Sequence, residues 1–304
     1  MSTTGPFEEE AFERDAEGQS FSGDPRELWR RFRRQRVAMA ALLFIVLVIV
    51  VAIAAPLFAP NNPNTIPTGA RVNALPSWSH LLGTDDLGRD ILSRIIFGAR
   101  ASMTAVFLIV GLALAVALPL GLISGYFAGR VDAVLMRVMD VLFTFPPLIL
   151  ALAVASMLGP SLVNASIAIA LVFVPSFVRL IRGQVLAIRE ELYVEASRSL
   201  GLSNTWIVRR HVLPNVASPI VVQAAVSLGY ALLAEAGLSF LGLGVQLPTP
   251  SWGNMLNESF GYVLSAAWPL IPPGLVIFLT VLAFNLIGDG LRDALGRERF
   301  EALR

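Results

Sequence analysis

Cysteine is absent from the sequence, which rules out a disulfide framework and any thiolate metal site and leaves the redox compartment unmarked. Lysine is absent too, since all 23 basic residues are arginine. A Walker A motif needs a lysine that reaches the nucleotide phosphates, so any ATP used must be bound by another chain. Histidine is confined to His80 and His211, too far apart in sequence to suggest a metal site. Charge is scarce as well, at 15% of residues against 55% hydrophobic, and the mean hydropathy is +0.69. These proportions exclude an ordinary soluble domain and imply an integral membrane protein.

What is present is a series of long apolar runs. Residues 1–27 come first, an acidic and polar tail with Gly and Pro that cannot bury enough apolar surface to fold, and they are expected to be disordered. Arg30, Arg31, Arg33, Arg34 and Arg36 then abut the first run. Spans are expected at about 37–59, 102–126, 133–158, 161–180, 216–241 and 268–291, each long enough as a helix to cross a bilayer. The fold class is therefore an all-α integral membrane protein with six transmembrane helices, its membrane domain running over 28–304. Ala52-Ile53-Ala54 looks like a signal-peptide cleavage site, but the apolar core before it is too long for an h-region and Pro56 follows, so the first run reads as an anchor. With the N-terminus inside, 19 arginines fall on the cytoplasmic side and only Arg71, Arg89, Arg94 and Arg100 lie outside, as the positive-inside rule requires. Both termini and the 181–215 loop are then cytoplasmic.

That loop holds a polar island between two apolar runs. Leu192, Ala196 and Leu200 recur at i, i+4 and i+8 while Glu191, Glu195 and Arg198 fall on other faces, which predicts a short amphipathic helix. Gly201 sits where a left-handed C-cap ends such a helix, and Ser203 or Asn204 can cap a second one carrying Trp206 and Ile207. Pro214 suits the first turn of the next span. An ordinary surface hairpin would share these features. Glu195-Ala196-Ser197, Gly201 and His211-Val212-Leu213-Pro214, however, resemble the E-A-A, G, I-x-L-P signature of the cytoplasmic loop of bacterial ABC-importer permeases. Ser197 and His211 depart from it. The resemblance implies that Glu195, Ala196, Gly201, Leu213 and Pro214 couple the chain to an ATPase.

Further blocks point the same way. His80, Gly83-Thr84-Asp85, Gly88-Arg89-Asp90, Ser93-Arg94 and Gly98-Ala99-Arg100 resemble the dipeptide/oligopeptide/nickel permease family, and Pro248, Pro250, Trp252-Gly253 and the stretch from Asn285 to Leu295 resemble its C-type subunit. The blocks cover residues 28 to 296 in family order. This resemblance implies a type I ABC-importer permease fold in a bacterial cytoplasmic membrane. It implies, as partners, a second homologous permease subunit, two ATPase subunits and an extracytoplasmic solute-binding protein that delivers substrate at the outer loops 60–100 and 242–267. Peptides are the expected cargo, with nickel and other small solutes handled in the same branch. No cofactor, catalytic residue or nucleic-acid partner is expected in this chain, and ATP is bound by the partner subunits.

Polar and small residues inside the runs are the remaining candidates. Gly121, Gly125 and Gly129 recur every four residues and predict close packing on another helix. Ile91, Arg94 and Ile95 suggest an interfacial helix leading into the second span. Phe145-Pro146-Pro147 interrupts the third run. Asp140, just before it, reads as a partner of Arg137 or as a contact on the substrate path, and Glu235 as part of an outer gate, a contact for a peptide amino group, or a carboxylate at headgroup level. The cluster Asp85, Asp86, Asp90 reads as loop-shaping caps and ion pairs or as a metal site. A rival from another class is a proton-coupled secondary transporter with Asp140 and Glu235 as its relay.

Overall fold

The computed structural model describes residues 25–67 and 71–301, and the expectation for the tail up to residue 24 lies outside them. Among the described residues the chain has no β-strand, only an isolated bridge between Thr84 and Asp90. Among these residues five helices are long and apolar enough to cross a membrane, or six if one sharply bent pair is counted as a single span. Helix α1 (Pro25–Arg33) precedes α2 (Arg36–Ile53). Residues 25–27, expected from composition to belong to the disordered tail, are instead the first turn of α1. The first span stops short of residue 59: it breaks at Ala54 and restarts as the short helix α3 (Ala55–Phe58), with Pro56 in its first turn, where a proline costs no hydrogen bond.

Helix α4 (Ile91–Phe127) begins earlier than the predicted span at 102, because the amphipathic lead-in and the span are one continuous helix. The third span, expected as one run over 133–158, is two helices, α5 (Gly129–Phe143) and α6 (Pro147–Leu158), bent by 91°. Pro146 and Pro147 account for this, since neither supplies a backbone N–H and each pushes the residue before it out of the helical region. Helix α7 (Leu162–Ile188) follows. Next come the short helices α8 (Leu192–Ser199) and α9 (Asn204–Ile207), a π-turn over Val208–Val212, and α10 (Leu213–Phe240). Helix α11 (Trp252–Phe260) and the long α12 (Ile271–Glu301) complete the chain.

The core lies where α4 and α7 pack together. A Cβ on Gly121 would sit 2.7 Å from the Cβ of Ile181, and one on Gly125 would sit 2.6 Å from the Cβ of Val185, so only glycine lets the two backbones approach this closely. Val106, Ile109, Phe177, Val178 and Ile181 fill the seam and are fully buried. Gly129 does not continue this packing stripe as its spacing suggests. It has φ +64, a Cβ there would meet nothing within 4 Å, and it serves as the turn between α4 and α5.

Contacts sort the connecting segments into two ends. At one end Arg189 donates to the carbonyl of Gly125 at 3.3 Å and the Tyr126 hydroxyl to Asn204 at 3.0 Å, which gathers the 125–132 turn with the 189–213 segment. At the other, the Trp268 indole donates to the carbonyl of Leu82 at 2.8 Å and the Trp252 indole to that of Ile95 at 3.0 Å, which ties the 71–90 loop and the start of α4 to α11 and α12. We expect Gly125→Leu to lower the thermal midpoint of the detergent-solubilised protein, by about 1–3 kcal/mol of stability for an overpacked core. Gly111→Leu, where a Cβ meets nothing within 4 Å, should leave it unchanged. Equal midpoints for the two variants would contradict the packing described.

Candidate functional site

The first end is built around a bend at Gly201. Helix α8 ends there because Gly201 adopts φ +76, a region that side-chain-bearing residues rarely occupy. The amide of Gly201 donates to Arg198 at 2.9 Å and that of Leu202 to Ser197 at 3.2 Å, closing off the last carbonyls of the helix. One turn on, the Ser203 hydroxyl accepts from the Trp206 amide at 3.3 Å and caps α9, as expected from sequence. Pro214 then follows the π-turn, inside helical backbone that runs without a break from Asn204 to Phe240, so it does not open the span as its residue type suggests.

The elbow is fastened to the helical body by specific groups. Ile207, Val212 and Val194 are fully buried. The ring of His211 lies 5.1 Å from that of Trp206 and 5.5 Å from that of Tyr193, and Asn215 donates to the His211 carbonyl at 2.6 Å. Tyr126, at the end of α4, receives the Arg198 guanidinium over its ring at 5.1 Å. Beneath it, Arg182 holds Asp132 through two hydrogen bonds, and Ser124 donates to the same carboxylate. These contacts join the elbow to α4, α7 and α10.

The face turned outward is the informative one. Leu192 is 76% exposed and Leu200 80% exposed, with Ala196 and Glu195 exposed between them. The apolar stripe seen in the sequence is thus not the buried side of α8; Val194 and Ser197 are. Glu195, Ala196 and Gly201 sit on one accessible ridge, with Pro214 exposed and Leu213 half-buried where α10 departs. Among the described residues Glu195 makes no ion pair.

The opposite end is a charged clamp. Asp85 accepts from the amides of Leu87 and Arg89 at 3.0 and 2.8 Å and from the Arg89 Nε at 2.6 Å, which shapes its loop. Arg94, fully buried, and Arg89 both donate to the Glu258 carboxylate on α11, at 2.6 and 2.9 Å. Asp90 caps α4 through the Ser93 amide at 2.9 Å and meets His80 Nδ1 at 3.0 Å. The acids therefore serve as caps and ion-pair partners. Glu258, which pairs with both arginines, is invisible to sequence reasoning; two arginines facing three aspartates give no signal for a distant fourth acid. Burial, and then the charges of Asp85 and Glu258, hold the Asp86 carboxyl above its ordinary value of 3.8 despite Arg89 beside it.

The two intramembrane acids lie elsewhere. Asp140 does not pair with Arg137: it accepts from Arg179 on α7 at 2.6 Å, because the cation on the facing helix reaches it across the α5–α7 contact. Glu235 is only 2% exposed and accepts from Ser239 at 2.7 Å, so it lines no open face of this chain. The structure brings the five coupling candidates to one end and leaves Asp140 and Glu235 in separate surroundings.

These features define a multi-span helical membrane protein with a fastened, outward-facing elbow at one end and a charged clamp at the other. The family model described as the inner membrane component of binding-protein-dependent transport systems matches residues 117–300, and one described as the N-terminal TM domain of oligopeptide transport permease C matches residues 26–76. The glutathione transport system permease protein of Pectobacterium atrosepticum is 46% identical over 270 residues, 89% of this chain and 90% of that one. The dipeptide transport system permease protein of Alkalihalophilus pseudofirmus is 45% identical over 275 residues, 89% of this chain and 88% of that one. Among solved structures, the inward-facing MetNI methionine ABC transporter matches with a TM-score of 0.58 at 17% identity, over 67% of this chain and 97% of that chain, a likeness of fold. The chain belongs to the family of binding-protein-dependent transport system inner membrane components.

Two outcomes are expected at the clamp. Glu258→Ala leaves buried Arg94 without its closest partner and should cost about 3–5 kcal/mol, read as a lowered thermal midpoint. Asp86→Asn should do the opposite. An acid whose pKa is raised by folding stabilises the fold only as pH falls through that raised pKa, and carries a penalty at neutral pH. The variant midpoint should therefore be higher at neutral pH, with the difference shrinking as pH is lowered toward 3.8. A lower midpoint for Asp86→Asn at neutral pH would contradict the assignment.

Proposed function

We propose that this chain is one of the two permease subunits of an ATP-binding-cassette importer and forms half of a pore for short peptides. An extracytoplasmic binding protein delivers the cargo at the clamp end. Two ATPase subunits drive the cycle from the elbow end, which faces the cytoplasm together with both termini. The observation that carries this reading is the exposed ridge of Leu192, Glu195, Ala196 and Leu200, held rigidly to α4, α7 and α10 yet uncovered within the chain. An apolar stripe on a fixed bend, beside an unpaired carboxylate, suits a docking surface for a protein partner. Membership of a binding-protein-dependent transport family supports a partnered importer, and the relatives named for glutathione and dipeptide transport support peptide cargo.

Force applied at the ridge would pass through Tyr126, Arg182 and the α4–α7 seam to the far end as a rigid-body displacement. No bond in the cargo is made or broken, and the chain's residues serve to bind, pack and move. The test uses the assembled importer in proteoliposomes. Gly201→Val forces a branched side chain into φ +76 and should preserve insertion and assembly while abolishing ATP-driven uptake, with ATP hydrolysis left running. Native uptake by that variant, or uptake by the native chain without any ATPase subunit, would remove this reading.

A further inference from the structure

The pair Asp140 and Arg179 is out of place on an apolar surface. Both side chains are about half exposed, at 54% and 47%, on helices long and apolar enough to span a membrane, α7 by itself and α5 only together with α6. Around them Val134, Val138 and Val141 are exposed as well. Each charge turned toward lipid would cost on the order of 3 kcal/mol, so this surface does not face hydrocarbon. A second observation concerns the backbone. The chain between Phe143 and Pro147 leaves the helix, with Phe145 and Pro146 exposed, directly beside the pair. Non-helical backbone at membrane depth persists only where protein buries it or a water-filled cavity meets it.

Unused bonding capacity decides between those two. Asp140 accepts through Oδ1 alone and Arg179 donates to it through Nη2 alone, at 2.6 Å. One carboxylate oxygen is left free, and of the five N–H donors of a guanidinium most are unused. The Arg179 guanidinium lies 4.0 Å above the Phe143 ring, which fixes it without satisfying those donors. Sealed against apolar groups of another subunit, these groups would carry an uncompensated desolvation cost, whereas water or a polar solute satisfies them.

Resting on the reading of this chain as half of a peptide pore, we propose that the α5–α6 break lines the translocation path and that Asp140 and Arg179 are its contact with the two termini of a zwitterionic peptide. The carboxylate receives the peptide ammonium and the guanidinium receives the peptide carboxylate. Phe143 holds Arg179 in position, and the bend at Pro146 opens the space in which the cargo passes.

The absence of cysteine makes the test direct, because Thr144→Cys gives the chain a single thiol at the exposed break. In the assembled importer, in proteoliposomes, this thiol should react with a charged methanethiosulfonate reagent, and a dipeptide should slow the reaction. Leu43→Cys, on the exposed apolar face of α2, should react only with a lipid-soluble maleimide. Asp140→Asn and Arg179→Gln should each lower dipeptide uptake about tenfold, the lower end of what losing a charge-assisted hydrogen bond costs, with ATP hydrolysis and subunit yield at native levels. The proposal is overturned if the thiol at 144 behaves like that at 43, if it reacts with neither reagent, or if both single variants transport at the native rate. Should a variant fail to assemble, labelling at 144 decides alone. A native complex that takes up no dipeptide while its thiol at 144 stays open to water would count against the peptide reading, and not against the placement of the path.

Discussion

The contact on which this structure depends is the close approach of α4 and α7 at Gly121 and Gly125. Ile181 and Val185 occupy the space that any larger residue would need, so the two backbones run side by side with their side chains interlocked. In lipid, where association gains little from the hydrophobic effect, such contact is what holds helices together. The same seam ends at Tyr126 and Arg189, the residues that hold the elbow. The close packing of the helical body and the position of its outward ridge thus share one origin.

The far end is fixed by a different force. Arg89 and Arg94 converge on Glu258, joining the start of α4 to α11 across 169 and 164 residues of sequence. Removing any partner from such a buried network strands a charge, which makes the contact costly to break. Trp252 and Trp268 add hydrogen bonds between the same segments. A body clamped at both ends favours movement of whole helices over local bending.

Much of this is legible in the residues because the relevant physics is local. Gly201 and Ser203 announce a bend and a cap by chemistry confined to a few positions, and each is found in that role, whereas Pro214, expected in the first turn of a span, follows a π-turn inside a helix that runs on from Asn204 to Phe240. Gly121 and Gly125 are legible through their period, while Gly129 shares the period but serves a turn. What escapes is non-local. Nearness in sequence points Asp140 at Arg137, whereas the facing helix supplies Arg179. Glu258 carries no hint of its partners. The stripe of Leu192 and Leu200 reads as one face of an amphipathic helix, but a pattern cannot say whether its apolar side meets its own chain or another. The outward orientation of that stripe is new information from the fold, and it bears most on function.

The central claim is that this ridge is covered by an ATPase subunit in the working importer. A photo-crosslinking residue placed at Leu200 in the assembled, hydrolysing complex tests it most directly. The account predicts a covalent adduct to the ATPase subunit whose yield changes between nucleotide-bound and nucleotide-free states. An adduct to lipid alone, or none at all in a complex that transports at the native rate, would contradict it.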